Sequence, residues 1–255
     1  MPEPESSQNT RLRTIKLTIE YDGSNYAGWQ VQRTGQSVQT RIQEAIAAIT
    51  GAPAVRLVGS GRTDAGVHAA GQVAHFKSAT TIPAQDLVHA INTELPDDIA
   101  IIAAQDVPDD FHARYSAKSK TYRYSIVNRA VRSPLERGRA HFVRGRLDVP
   151  AMRAAAQALL GEHDFAAFRS KPNGKPSVRT ITRLDVMTAG ERIDLFVSAN
   201  GFLYNMVRAI AGTLIEVGLG RRTPESVAGL LRSLDRSAAG PTAPPQGLCL
   251  MDVEY

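Results

Sequence analysis

Hydrophobic positions recur along the chain at two spacings, which predict strands and helices in alternation. Apolar residues alternate with polar ones over 15–21, the period of a half-buried strand. From 38 to 49 they recur at helical spacing, with Ser37 placed as an N-cap and Gly51 as the stop. The same patterns predict further strands at 55–58, 72–77, 99–104, 120–126, 181–188, 192–199 and 248–255, and further helices after Pro83, at 152–160, at 203–218 and after Pro224.

The alternation divides the chain into a tail and two units. Residues 1–11 are polar and proline-bearing, and we expect a disordered tail there. Proline and acidic residues interrupt the pattern at 107–110, so we predict an N-terminal α/β domain over 12–110 and a C-terminal one over 111–255. In the first unit the predicted helices could cover one face of a sheet.

Charge separates the two units further. Residues 1–111 carry 8 Lys and Arg against 13 Asp and Glu, whereas residues 112–255 carry 22 against 12. A basic half favours a polyanionic partner, because each cation that meets a phosphate releases counterions. The segment 128–146 holds six arginines against the single acid Glu136, and we expect phosphate contacts there, at Arg129, Arg132, Arg137, Arg139, Arg144 and Arg146.

Candidate chemistry concentrates in the glycine-rich stretch 59–69, which places Arg62 and Asp64 among three glycines. Glycines permit close backbone approach, so the stretch predicts a tight loop that presents the carboxylate to a partner. A phosphate-binding P-loop does not fit, because Val67 and His68 stand where its Lys and Ser/Thr belong. The triplet 64–66 resembles that of aspartic proteases, which need two carboxylates and hence a homodimeric site here.

Two further side chains are candidates by position. Tyr122 lies on a predicted strand, where a core role is the usual one. Arg208 interrupts the apolar face of the long helix and is placed to enter a cleft. Burial would raise the pKa of Asp64, whereas a neighbouring guanidinium such as that of Arg208 would lower it and keep the carboxylate ionised.

Other classes of site find little support in the composition. Cys249 is the only cysteine, and no Cys/His cluster has the spacing of a zinc site, so we predict no structural metal. No apolar run is long enough to span a bilayer and residues 1–13 lack a signal-peptide core, so we expect a cytoplasmic protein.

Five segments, taken in order, resemble the tRNA pseudouridine synthase A family of pseudouridine synthases. They are GRTDAGVHA at 61–69, FHARYSA at 111–117, KTYRY at 120–124, FLYNMVR at 202–208 and GLCL at 247–250. The resemblance runs over nearly all of 13–255. Asn205 departs from it, since many members carry His at that place.

The resemblance implies an α+β fold of two similar subdomains, each a mainly antiparallel sheet with helices on one face, and an active-site cleft between them. It implies isomerisation of uridine to pseudouridine in the anticodon stem-loop of tRNA, with positions 38, 39 and 40 expected. It also implies a homodimer and no cofactor, because the reaction has no net redox change.

By the same resemblance Asp64 is the catalytic carboxylate and Arg208 is its partner. Tyr122 packs on the target uracil, and Arg62 helps to hold the flipped nucleotide outside the stem. Three routes stay open to Asp64: attack on the sugar, addition to the base, or proton abstraction from the ribose. A non-catalytic RNA-binding module is the alternative; it would explain the basic half but not the loop around Asp64.

Overall fold

The computed structural model describes residues 12–171, 174 and 176–255, so the predicted tail at 1–11 lies outside the described residues. Within them the chain forms ten strands and five α-helices. The strands are β1 (Arg13–Tyr21), β2 (Val58–Gly59), β3 (His68–Ser78), β4 (Ile99–Val107), β5 (Ser119–Asn128), β6 (His141–Val143), β7 (Gly161–Asp164), β8 (Val178–Ala189), β9 (Arg192–Ala199) and β10 (Leu248–Glu254). The helices are α1 (Val38–Thr50), α2 (Ala84–Glu94), α3 (Val149–Gln157), α4 (Met206–Gly218) and α5 (Ser226–Ser233).

All ten strands belong to one sheet, with the order β4-β1-β3-β10-β5-β9-β8-β7; β2 pairs with β3 and β6 pairs with β5. Its ladders are antiparallel except for β10 with β3 and β5 with β6. The predicted α+β class with a mainly antiparallel sheet is therefore confirmed. The domain boundary at 110/111 falls between β4 and β5 and stays a prediction, because the sheet runs through both halves.

Local sequence signals account for the first strand and helix. In β1 the side chains of Ile15, Leu17 and Ile19 are fully buried, as the alternation predicts. Helix α1 begins where Ser37 Oγ accepts the backbone N–H of Thr40 at 3.1 Å, and it ends at Gly51 with φ of +67°. A serine oxygen satisfies one free N–H of the first turn, and glycine adopts the left-handed conformation without a steric penalty.

The prediction of a strand at 55–58 is wrong over most of that range, since only Val58 and Gly59 join the sheet. Side-chain amides of α1 replace the missing strand neighbour: Gln39 Nε2 donates to the carbonyl of Leu57 at 2.8 Å, and Gln43 Nε2 donates to that of Val55. These bonds satisfy backbone acceptors that would otherwise need a strand partner. The hydrophobic pattern could not reveal a segment whose backbone is bound by glutamine side chains of the preceding helix.

Helix α4 begins at Met206, three residues later than its hydrophobic pattern suggests. Asn205 precedes it with φ of +62°, a left-handed conformation that asparagine tolerates better than most residues. The helix is then buried along nearly its whole length. Over the described residues, no helix has both the length and the apolar character required to cross a membrane.

Candidate active site

The pairing of β10 brings the glycine-rich loop close to β5, the strand that carries Tyr122. Leu250 on β10 lies opposite Ala69 of β3 on one side and opposite Tyr122 of β5 on the other. The loop that carries Asp64 leads directly into β3. Asp64 therefore lies close to the place where β3, β10 and β5 pair. Two segments from different halves of the sequence therefore meet across a single intervening strand.

Hydrogen bonds from neighbouring strands fix the loop before Asp64. Lys120 Nζ on β5 donates to the carbonyl of Ser60 at 2.6 Å, and Gln72 Nε2 on β3 donates to that of Gly61 at 3.2 Å. The hydroxyls of Tyr21 and Thr63 are 2.7 Å apart in a buried contact. The loop is thus tied to β1, β3 and β5, which limits the movement of the carboxylate that follows.

Close packing against Trp29 and Gly23 also holds the loop in place. Trp29 is only 1% exposed, and its backbone N–H donates to the carbonyl of Thr63 at 3.1 Å. A Cβ on Gly59 would lie 2.6 Å from the indole nitrogen of Trp29, and one on Gly23 would lie 2.0 Å from the carbonyl oxygen of Val67. Any side chain at either glycine would displace the loop, since protein interiors have no space for the added atom.

Asp64 and Arg208 form an ion pair across the two halves of the sequence. Arg208 Nη1 lies 3.3 Å from Asp64 Oδ2, and the two side chains are 15% and 28% exposed. The guanidinium is anchored elsewhere as well: Nε donates to the carbonyl of Ala243 at 2.7 Å and Nη1 donates to Asn205 Oδ1 at 3.0 Å. Arg208 therefore approaches the carboxylate from a fixed position at the start of α4.

Two residues whose roles the sequence left open have clear contacts. Asn205 accepts from Arg208 and so helps to orient the guanidinium. His68 is 8% exposed and lies behind the loop, where its Nδ1 accepts the backbone N–H of Gly23 at 3.1 Å. Its contacts support the turn at Gly23 rather than the cleft.

The two opposing effects predicted for the pKa of Asp64 can now be ranked. Burial, the larger effect, raises the pKa of Asp64 above its ordinary value, and the charge and hydrogen bond of Arg208 oppose that rise. The carboxylate is therefore more basic than an exposed one. Such a carboxylate, held by a guanidinium, suits a nucleophile or a base.

The other two predicted site residues lie around the same carboxylate. Tyr122 is 7% exposed, and its ring meets that of Phe202 edge-on at 5.0 Å. Burial, followed by the proximity of Tyr21 and Asp64, raises the pKa of Tyr122, so its phenol stays protonated at neutral pH. Arg62 is exposed at the rim and makes no hydrogen bond or ion pair with any residue the structure describes.

These four residues line one cleft of about 1410 Å³. Pockets for small molecules measure roughly 300–1,000 Å³, so the cleft is large enough for a segment of a polymer. It also contains residues that sequence reasoning did not single out, namely Arg56, Arg114, Tyr115 and Lys120. Lys120 could have been found, since it lies two positions before Tyr122 on one strand and so shares its face.

The six arginines of 128–146 lie outside the residues that line this cleft. Arg129 pairs with Glu191 at 3.1 Å, and Arg139 approaches Asp22 at 3.6 Å. The side chains of the other four are exposed and make no hydrogen bond or ion pair within the described part of the chain. Phosphate contact by this segment stays a prediction, and it would occur away from the floor of the cleft.

Among the described residues that line the cleft, Asp64 is the only carboxylate and there is no cysteine. Among residues 12–171, 174 and 176–255, no group of three or more His, Cys, Asp or Glu side chains is arranged to hold a metal ion. The groups close to Asp64 in the cleft include the guanidinium of Arg208 and the phenol of Tyr122, and the ammonium of Lys120 lines the same cleft.

Comparison with known proteins gives this arrangement a family. The family model described as tRNA pseudouridine synthase matches residues 17–116 and 155–255. The chain is 49% identical over 246 residues to tRNA pseudouridine synthase A 2 of Clostridium perfringens, with 96% of this chain and 100% of that protein covered. It is 52% identical over 245 residues to tRNA pseudouridine synthase A of Geotalea uraniireducens and to that of Pelobacter propionicus, with the same coverage.

Among solved structures, a chain of a Cbf5-Nop10-Gar1 complex has a TM-score of 0.38 at 10% identity, covering 92% of this chain and 57% of that one. That likeness is too weak to bear on function. The sequence relatives are sufficient: this chain belongs to the tRNA pseudouridine synthase family, whose members isomerise uridine to pseudouridine in tRNA.

Proposed function

We propose that the chain forms pseudouridine in the anticodon arm of tRNA, at positions 38, 39 and 40, with Asp64 as the catalytic carboxylate. The observation that carries this proposal is the 3.3 Å ion pair between Asp64 and Arg208, in a cleft that also contains Tyr122. It joins a partly buried base, a fixed cation and an aromatic ring around one space. The names of the relatives supply the tRNA substrate.

The reaction requires the breaking of one bond and the formation of another at the same sugar carbon. The bond from uracil N1 to C1′ breaks, the base rotates, and a bond from C5 to C1′ forms. The proton leaves C5 for solvent and N1 gains one, so no oxidant or reductant takes part. Asp64 would act on the nucleoside, while Arg208 opposes the effect of burial on its pKa and holds the carboxylate in place.

The cleft suits a nucleotide that has left its stem. Flipping a nucleotide out of its stack costs a few kcal/mol, which protein contacts must offset. Tyr122 would pack against the extruded uracil. The exposed, unpaired guanidinium of Arg62 would bind the phosphate or sugar beside it.

The protein is further proposed to be a homodimer and to act in the cytoplasm, where tRNA is modified. Support for the dimer comes from the arginine-rich segment, in which Leu135 is 93% exposed and Val131 is 70% exposed. Exposed apolar side chains beside basic ones are common where two protein surfaces meet. Light scattering should give twice the mass of the chain, and the mass of one chain would contradict this part of the proposal.

The positional claim is tested on unmodified tRNA made by transcription. Purified protein is incubated with tRNA that carries uridine at 38, 39 and 40, and pseudouridine is mapped by chemical adduct formation and primer extension. Single uridine-to-cytidine replacements serve as matched controls, each expected to remove one product and leave the others. Products confined to another arm of the tRNA would overturn the proposed site while leaving the family assignment intact.

A further inference from the structure

The segment 111–117 has no part in the chemistry described so far, although it enters the same cleft as Asp64. His112, Arg114 and Tyr115 all line that cleft. The segment follows β4, at the passage from the first half of the chain to the second. The hydrogen bonds within this turn determine how the three side chains are presented to the cleft.

Hydrogen bonds lock the turn around the imidazole of His112. The Nδ1 atom accepts the backbone N–H groups of Arg114 and Tyr115, each at 3.2 Å. The backbone N–H of His112 donates to Ser116 Oγ at 3.1 Å, and that of Ser116 donates to the carbonyl of His112 at 2.9 Å. A short turn with this many internal bonds keeps its side chains in one arrangement without help from a ligand.

The arrangement presents the ring of Tyr115 to solvent. Its ring stacks on that of His112, with centroids 4.3 Å apart and planes at 29°. The residue is nevertheless 77% exposed, so most of the phenol surface is free. A large aromatic ring gains little for folding in such a position, because the hydrophobic effect stabilises only surface removed from water.

One arginine lies beside this exposed ring, and two more line the same cleft. The guanidinium of Arg114 lies 5.8 Å from the centroid of Tyr115. Arg56 and Arg62 line the same cleft, and neither forms an ion pair with any described residue. A rigid aromatic surface among unpaired arginines is the combination that binds unpaired nucleotides, through base stacking and phosphate contact together.

We propose that Tyr115, supported by His112, is a stacking platform for a second nucleobase of the tRNA, next to the nucleotide that enters the site of Asp64. The second base would stack on the free surface of the Tyr115 ring, and Arg114 would bind its phosphate. Holding this neighbour would stabilise the bound tRNA in the splayed conformation that admits the target uridine. The inference rests on the proposed function, since it assumes that the flipped uridine enters this cleft.

The test compares Tyr115→Ala with Tyr115→Phe in steady-state kinetics on unmodified tRNA. Base stacking on an aromatic side chain is strong enough that Tyr115→Ala should raise KM about 5- to 150-fold. The value of kcat should stay within about twofold, because the ring does not contact the reacting atoms. Tyr115→Phe keeps the stacking surface and should match the wild type in both constants.

A second readout reports the contact directly. The fluorescent adenine analogue 2-aminopurine is placed in the tRNA beside the target uridine, and its emission is recorded on binding. Stacking on Tyr115 should quench the emission in the wild type and in Tyr115→Phe, and Tyr115→Ala should restore it. Met187→Ala, a change at a 52% exposed residue outside the cleft, is the matched control and should behave as the wild type.

Three results would overturn the platform. An unchanged KM in Tyr115→Ala would mean that no base rests on the ring, and equal defects in the Ala and Phe variants would assign the effect to the hydroxyl. A change in the mass of the assembly in Tyr115→Ala would show that the ring contacts a second copy of the chain. In each case the wild type would still modify the anticodon arm, whereas failure of the proposed function would remove that product from the wild type itself.

Discussion

Replacing Arg208 by glutamine should shift the acidic limb of the activity profile to higher pH. The guanidinium lies 3.3 Å from the carboxylate of Asp64, and at an effective dielectric constant of 20 that distance corresponds to about 5 kcal/mol of gross attraction. The cost of burying both charges offsets part of it, and an arginine beside a carboxylate typically lowers its pKa by about 1–3 units.

The sign follows from the two effects on Asp64. Burial already raises the pKa of this carboxyl, and Arg208 is the group that opposes the rise. Without the arginine, burial acts alone and the pKa rises further. Protonation then removes the reactive carboxylate at a pH where the wild type is still ionised. Below the new pKa, kcat/KM should fall about tenfold for each pH unit.

The assay is tritium release from tRNA that carries uridine labelled at C5, measured between pH 5 and 9. Arg222→Gln is the matched control, because Arg222 lies 3.0 Å from Glu216 with exposures of 22% and 23%, close to those of the Asp64–Arg208 pair. The control should keep the wild-type midpoint, whereas Arg208→Gln should move it upward by about 1–3 pH units. An unmoved midpoint in Arg208→Gln, or an equal shift in the control, would refute the reasoning.

Other predictions concern the loop, its supporting lysine and the RNA surface. Gly23→Ala should lower the free energy of unfolding by about 1–3 kcal/mol, because its Cβ would lie 2.0 Å from a backbone oxygen. Both Tm and kcat should fall as a result. Gly229→Ala, whose Cβ would meet nothing within 4 Å, should be neutral or stabilising in the same melting experiment. Burial lowers the pKa of Lys120 from 10.5 to about 8, so between those values the unfolded chain binds more protons and the folded protein gains stability as pH rises. In urea titrations at pH 7.5 and 10, the free energy of unfolding of the wild type relative to Lys120→Met should therefore increase by about 2 kcal/mol, and a constant difference would contradict this. Replacing both Arg144 and Arg146 by Gln should reduce the slope of log K for tRNA binding against log salt by about 2, and an unchanged slope would mean that both side chains face away from the RNA.

Much of the fold follows from local rules that the sequence displays. The alternation in β1, the serine cap of α1 and its glycine stop all act within a few residues, so the pattern alone predicts them. The boundary of α4 could not be predicted in the same way. Its hydrophobic pattern begins before Met206, but Asn205 adopts a left-handed conformation and its side chain bonds to Arg208.

The site is less evident from the sequence than the fold is, because its residues come from segments that lie far apart in the chain. Residue types mark Asp64 and Arg208 as candidates and only the family resemblance pairs them, whereas the structure brings the two side chains into contact over 144 positions of sequence. The parallel pairing of β10 with β3, which makes that contact possible, leaves no local signal. The relative size of burial and ion pairing at Asp64 likewise depends on tertiary packing, which residue types alone do not give.

The central claim is that the carboxylate of Asp64 carries out the isomerisation, and the most direct test is Asp64→Asn under single-turnover conditions, with enzyme in excess over labelled tRNA. Tritium release should be abolished while the affinity for tRNA, measured by filter binding, stays within about threefold of the wild type, because asparagine keeps the size of the side chain and removes only its charge. Release of tritium at a rate close to that of the wild type would contradict the assignment of Asp64 as the catalytic residue.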